Sequence, residues 1–105
     1  IPLMQSCMCT EKGPLPAYDG VFIDRELNIF TEWLLDKYLQ LSLNDAEKTM
    51  LSKVFDAVKN SCLIQPTVGM HRDYHSRNLM LLKNNEIGVI DFQDAVVGPI
   101  TYDAV

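Results

Sequence analysis

Basic residues are scarce: 9 Lys and Arg stand against 14 Asp and Glu in 105 residues, for a formal net charge of −5. Binding to a nucleic-acid backbone needs clustered Lys and Arg to release counterions, and no such cluster occurs, which excludes a nucleic-acid partner. Cysteine is scarce too. Cys7, Cys9 and Cys62 are an odd set without a second close pair, so neither a disulfide framework nor a four-thiolate zinc site can form. The Cys7-x-Cys9 spacing is shorter than the C-x-x-C of redox pairs. Reduced thiols and a cytoplasmic location are the expectation. No apolar run approaches the roughly 20 residues that span a bilayer, and the start IPLMQSCMCTEKG lacks the charged region and apolar core of a signal peptide, so no membrane partner is expected.

What is present is the balance of one modest globular domain, with 48% hydrophobic and 22% charged residues. Pro14, Pro16, Gly13 and Gly20 make residues 1–20 an irregular approach segment, and the folded part is expected from Val21 onward. Leu27, Phe30, Leu34, Tyr38 and Leu41 recur every three or four residues, which predicts an amphipathic helix. A second helix starts at Asn44, a capping residue followed three positions later by Glu47, and its stripe is Leu51, Val54, Phe55, Val58 and Cys62. Both helices read as scaffold. After Pro66 the pattern changes: TVGM reads as a strand, HRDYHSRN as a loop, LMLL as a strand, KNNE as a turn and IGVI as a strand. The fold class is therefore α+β. Thr101 can cap a final helix. A chain that begins at Ile1 without Met and stops at TYDAV, where that helix starts, reads as a piece of something longer.

The hairpin has a consequence for chemistry. Asn84-Asn85 suits a two-residue type I′ turn, because Asn tolerates positive φ. A turn centred there pairs residue 82 with 87, 80 with 89 and therefore Asn78 with Asp91. Opposed Cβ atoms in an antiparallel pair are roughly 4.5–5.5 Å apart, so an amide oxygen and a carboxylate could share one cation. Hard oxygen ligands in small number suit magnesium. His71 and His75, four apart, would make a metal face on a helix, but a loop without a third His or a Cys pair does not make a zinc site.

HRDYHSRN fits H-R-D-x-x-x-x-N, in which an Asp receives the proton of an attacking hydroxyl and an Asn holds a metal, and DFQD supplies an Asp-Phe where D-F-G is expected. Phosphoryl transfer asks little covalent help and much positioning and charge neutralisation, which accounts for these residue types. Two details separate the stretch from protein kinases. His75 follows Asp73 by two residues, and Asp94 follows the Asp-Phe pair. HRDYHSRN and VIDFQDA thus resemble the aminoglycoside phosphotransferase and choline kinase superfamily, whose loop reads approximately H-G-D-x-H-x-x-N and whose metal motif reads I-D-[FW]-x-[DE]. HRDYHSRNLM, GVIDFQDAVVGPITYD and DRELNIFTEWLLDKYL look most like its bacterial branch of anomeric N-acetylmuramate and N-acetylglucosamine kinases.

The resemblance covers roughly residues 15–105 and implies a partial protein-kinase-like C-terminal lobe over residues 21–105. That lobe comprises two amphipathic helices, a catalytic loop and a β-hairpin. It implies ATP as phosphoryl donor, Mg2+ as cofactor, and a small-molecule acceptor, an amino sugar of the cell wall in the first place and an aminoglycoside or choline in the second. A silent kinase-like binding fragment is the non-catalytic alternative. By position, Asp73 would be the base, His71 would support the loop and His75 would approach the phosphates or the sugar, completing the catalytic set. Asn78 and Asp91 would be the cofactor-binding and metal residues. Asp24, Arg25 and Glu26 fall on the acceptor side by the same resemblance. Arg72 and Arg77 stand where many relatives have glycine. No Gly-rich phosphate loop, Val-Ala-Ile-Lys strand or partner-Glu helix precedes residue 71, so the nucleotide-covering lobe is expected to be absent and the fragment alone inactive.

Overall fold

The computed structural model describes residues 1–7 and 15–104. Cys9 and the side chain of Cys7 lie outside the described residues, while Cys62 is a half-buried free thiol. The chain divides into two compact units: a helical unit, Tyr18–Gln65, and a second unit made of Ile1–Ala17 and Pro66–Val105. No helix among the described residues is long and apolar enough to cross a membrane.

In the helical unit, α2 (Gly20–Ile29) starts where the Asp19 carboxylate accepts from the Phe22 N–H at 2.9 Å, and it runs directly into a π-helical segment, Phe30–Tyr38. The expectation of one continuous α-helix with a buried stripe is corrected here. Bonds such as Leu39 N–H to Leu34 C=O at 2.9 Å close a wider turn than 3.6-residue winding, so residues three and four apart drift around the axis. Leu34, Tyr38 and Leu41 stay exposed, and Phe30 meets Phe55 edge-on at 6.2 Å.

The second helix, α3 (Asp45–Leu63), starts where the sequence places it. Asn44 Oδ1 accepts from the Glu47 N–H at 3.0 Å and Glu47 Oε2 accepts from the Asn44 N–H at 2.8 Å. Asn44→Ala removes half of this reciprocal cap and is expected to lower the unfolding free energy by about 1 kcal/mol, read from a urea melt. The buried stripe expected of α3 is only partly buried: Leu51, Phe55 and Cys62 are half-buried, and Val54 and Val58 are exposed. Lys59 lies 2.8 Å from Asp24 and 3.7 Å from Asp56. The hydrogen bond that the Lys59 ammonium donates to Asp24 holds it above its ordinary pKa of 10.5. Its contribution to stability is complete below that pH and is lost as pH rises through the raised value; with the Asp24 side chain 50% exposed, it is small and salt-sensitive.

The second unit carries the loop. Pro2–Cys7 is a short helix, α1, which corrects the irregular reading of residues 1–20, because proline is tolerated in the first turn, where its missing N–H has no partner anyway. Buried Gln5 donates to the Ile100 C=O at 3.0 Å. Residues 15–19 have no regular structure, though Ala17 bridges to Val97. Strand β1 (Thr67–Met70) pairs antiparallel with β4 (Val96–Pro99), Met70 facing Val96. The sequence marked β1 but not β4, since VVGP reads there as the exit from the hairpin. The final helix is a single 3-10 turn, Tyr102–Ala104, closed by the Ala104 N–H to the Thr101 C=O at 3.0 Å. Met70, Ala95 and Val96 form the apolar core beside the loop.

The hairpin itself is β2 (Leu79–Leu81) with β3 (Ile87–Val89), and its register differs by one residue from expectation: Leu79 faces Val89 and Leu81 faces Ile87. The loop is Lys83-Asn84-Asn85 rather than Asn84-Asn85. The Asn85 N–H bonds the Leu82 C=O at 3.0 Å, Asn85 takes φ 61°, and the Leu82 N–H reaches the Glu86 C=O at 2.8 Å, a type I turn followed by a left-handed residue. Asn84 adds a bond to the Glu86 carboxylate at 2.6 Å, which the shorter turn would lose. Apolar as the hairpin is, Met80, Leu81, Leu82 and Ile87 are exposed.

Candidate active site

The spacing of HRDYHSRN is explained by who holds the main chain of Asp73. His71 is 1% exposed, and its Nδ1 accepts from the Asp73 N–H at 3.3 Å. That leaves the ring proton on Nε2, which donates to the Ile90 C=O at 2.8 Å. One imidazole thereby ties the loop to the strand end next to Asp91. On the other side, the Asp73 C=O accepts from the His75 N–H at 3.1 Å and from Asn78 Nδ2 at 2.9 Å. The backbone of Asp73 is gripped from both directions while its side chain stays exposed. A general base needs this arrangement: a fixed origin and a free carboxylate.

His75 repeats the device two residues on. Its Nδ1 accepts from the Arg77 N–H at 3.2 Å, capping the 3-10 turn Ser76–Asn78, and its Nε2 lies 3.4 Å from Asp73 Oδ1. Arg77 is exposed, with no ion pair among the described residues.

Asn78 and Asp91 do not face each other. Asn78 is opposite Ile90, whose N–H reaches the Asn78 C=O at 3.0 Å, and Asp91 is one residue further along. The one-residue shift alone would send Asp91 to the opposite face of the strand. Asp91 instead adopts φ 68°, which ends the extended backbone and breaks that alternation. Its Oδ1 accepts from Gln93 Nε2 at 2.8 Å, so the residue in the place of the D-F-G glycine steadies the carboxylate. Asn78 is 7% exposed, and its Nδ2 is spent on the Asp73 C=O, which leaves Oδ1 as the side-chain atom that could meet a cation. An amide oxygen and a carboxylate at one end of one hairpin are the hard donors that Mg2+ takes. The Asp94 C=O accepts from Arg72 Nη1 at 3.4 Å.

Asp103, to which the sequence assigned no role, anchors the loop. Its carboxylate is 8% exposed and accepts from the His71 N–H at 2.6 Å and from the Arg72 N–H at 2.9 Å. Between those bonds Arg72 adopts φ 73°, a left-handed conformation that accounts for glycine at this place in the family pattern. The only sequence signal was a lone carboxylate closing the apolar run AVVGPITYD.

The acceptor-side candidates lie in the helical unit. Asp24 pairs with Lys59, Glu26 accepts from the Tyr18 hydroxyl, and the Arg25 guanidinium is 6.0 Å from the Phe22 ring centre. Of the three, only Asp24 lines the cavity of about 390 Å³ in that unit, together with Asn28, Thr31, Ser52 and Asp56.

Residues 4–105 match the pattern of the phosphotransferase enzyme family. Over 91 residues the chain is 48% identical to an N-acetylmuramate/N-acetylglucosamine kinase of Pseudomonas putida, covering 87% of this chain and 26% of that protein. A kinase of the same name from Pseudomonas aeruginosa is 46% identical over 91 residues, 87% of this chain and 27% of that protein. One from Neisseria meningitidis is 40% identical over 103 residues, 98% of this chain and 30% of that protein. The chain thus spans less than a third of the length of the curated relatives it matches.

Proposed function

Because this chain belongs to the phosphotransferase enzyme family, we propose that it supplies the catalytic loop of a small-molecule kinase that transfers a phosphoryl group from ATP to a hydroxyl of an amino sugar. The observation that carries this reading is the double grip on the Asp73 backbone, by His71 and by His75 with Asn78, around an exposed carboxylate. Asp73 orients the acceptor hydroxyl and takes its proton as the oxygen–phosphorus bond forms and the bond to the leaving nucleotide breaks. His71 positions the loop from within. Asn78 Oδ1 and the Asp91 carboxylate would hold Mg2+, with Gln93 steadying Asp91. When bound, the ion neutralises charge on the nucleotide phosphates. N-Acetylmuramate and N-acetylglucosamine are the favoured acceptors, on the names of the relatives, and use of ATP would fit a cytoplasmic reaction.

The test is to express the parent protein and measure ATP-dependent phosphorylation of N-acetylmuramate, N-acetylglucosamine, an aminoglycoside and choline across a magnesium titration. Turnover of the amino sugars alone is the expected result. Turnover of only the aminoglycoside or choline overturns the acceptor, and no turnover of any overturns the reading. Asp91→Ala is expected to raise the magnesium concentration for half-maximal rate by about tenfold or more. An unchanged magnesium curve would remove Asp91 from the metal site.

A further inference from the structure

We propose that His75 is a positioning residue that makes the two oxygens of the Asp73 carboxylate unequal, engaging Oδ1 through Nε2–H and leaving Oδ2 as the atom that takes the acceptor's proton. The proposal rests on the phosphotransferase reading above and adds to it an atom-level role for a side chain that does not meet substrate.

The ring has no freedom of tautomer once its other nitrogen is considered. The Arg77 N–H donates to Nδ1 at 3.2 Å, so Nδ1 presents a lone pair and the proton of the neutral ring sits on Nε2. That nitrogen is 3.4 Å from Asp73 Oδ1, slightly long for a hydrogen bond, and contacts of this kind tighten when an active site is loaded. Turning the ring away would cost the Arg77 N–H bond to Nδ1, and the Cα from which the ring hangs is fixed, because the His75 N–H donates to the Asp73 C=O at 3.1 Å and its C=O accepts from the Asn78 N–H at 2.9 Å.

Both histidines accept an N–H from the residue two positions on, and both therefore carry the proton on Nε2. His71 points inward and spends Nε2–H on the Ile90 C=O. His75, with its side chain 48% exposed, turns Nε2 toward the Asp73 carboxylate, 3.4 Å from Oδ1.

In the transfer step the acceptor O–H bond breaks, its oxygen bonds phosphorus, the bond from phosphorus to the leaving nucleotide oxygen breaks, and the proton rests on Asp73 Oδ2. Oδ1 remains an acceptor for Nε2–H before and after, so His75 neither gains nor loses a proton. Its contribution is orientation of the carboxylate.

The two halves of the imidazole can be separated in the parent protein. His75→Asn keeps an oxygen at the place of Nδ1 to accept from the Arg77 N–H but cannot reach Asp73. His75→Gln places an N–H donor near the position of Nε2 but gives up the Arg77 bond. The expected result is that His75→Asn loses up to about 100-fold in kcat with KM for ATP and sugar and the melting temperature little changed, as for a misplaced catalytic group. His75→Gln should keep most of kcat and melt earlier. Wild-type kcat in His75→Asn, or kcat losses in both variants that track loss of folded protein, overturns the proposal. So does an inactive His75→Gln beside an active His75→Asn. Asp73→Asn, measured in parallel, separates the two readings: if it is inactive while His75→Asn is fully active, only the role of His75 fails, and if it is fully active the base assignment fails as well.

Discussion

Asp73→Asn in the parent protein is expected to lower kcat by about 10²- to 10⁴-fold, the range lost with a general base, while the melting temperature stays near that of the wild type. The separation between activity and stability follows from where the bonds go. The loop is held through the backbone of residue 73, by His71 Nδ1 on its N–H and by the His75 N–H and Asn78 Nδ2 on its C=O, and none of these involves the carboxylate. The side chain is 61% exposed, and among the described residues it pairs only with His75, at 3.4 Å. An amide there fills the same space and accepts from the same Nε2–H, but it cannot take a proton at the pH of the reaction. KM for ATP should be little altered, since Asn78 and Asp91 are untouched. An enzyme of wild-type activity would remove Asp73 from the chemistry, and a large fall in melting temperature would show that the carboxylate holds the loop.

How far such a site can be read from sequence depends on the range of its bonds. The start of α3 was legible because Asn44 and Glu47 cap each other within one turn. The loop motif was legible for a similar reason: His71 reaches residue 73, His75 reaches residue 77 and Asn78 reaches back to residue 73, so the spacing is itself the set of bonds. Register was less legible. Asn84-Asn85 satisfies a two-residue turn as well as a three-residue one, and the choice falls to the Asn84 bond to Glu86, which composition does not display. The wrong choice moved Asn78 opposite Asp91, whereas Asn78 faces Ile90 and the positive φ of Asp91 breaks the strand's alternation. Pairing of TVGM with VVGP has no local signal, because the partners are separated by the whole loop and hairpin, and an apolar tetrapeptide with a proline reads equally as a link. The π-helical winding of Phe30–Tyr38 left no periodic trace, since spacings of three and four fit an α-helix equally well.

Asp103→Ala is expected to remove about 3 kcal/mol or more of stability, read as a lower denaturant midpoint, and to abolish turnover with it. Two charge-assisted bonds are lost at once, to the N–H groups of His71 and Arg72 at 2.6 and 2.9 Å, and each is worth about 1.5 kcal/mol or more. The loss falls where it cannot be absorbed. Arg72 sits at φ 73°, a conformation that costs a non-glycine residue on the order of 1–3 kcal/mol and persists only when its surroundings impose it. Asp103→Asn separates charge from shape: the amide keeps one acceptor oxygen but turns an NH2 toward the second N–H, so donor faces donor, and it should be nearly as damaging as alanine. Arg72→Gly tests the strain directly, because glycine adopts that φ without steric cost. In the Asp103→Asn background it should recover more stability than it adds to the wild type, a positive coupling in a double-mutant cycle. Additive effects would mean that Asp103 does not hold Arg72 in its left-handed turn, and an Asp103→Asn protein with unchanged midpoint and kcat would end the assignment of Asp103 as the loop's anchor.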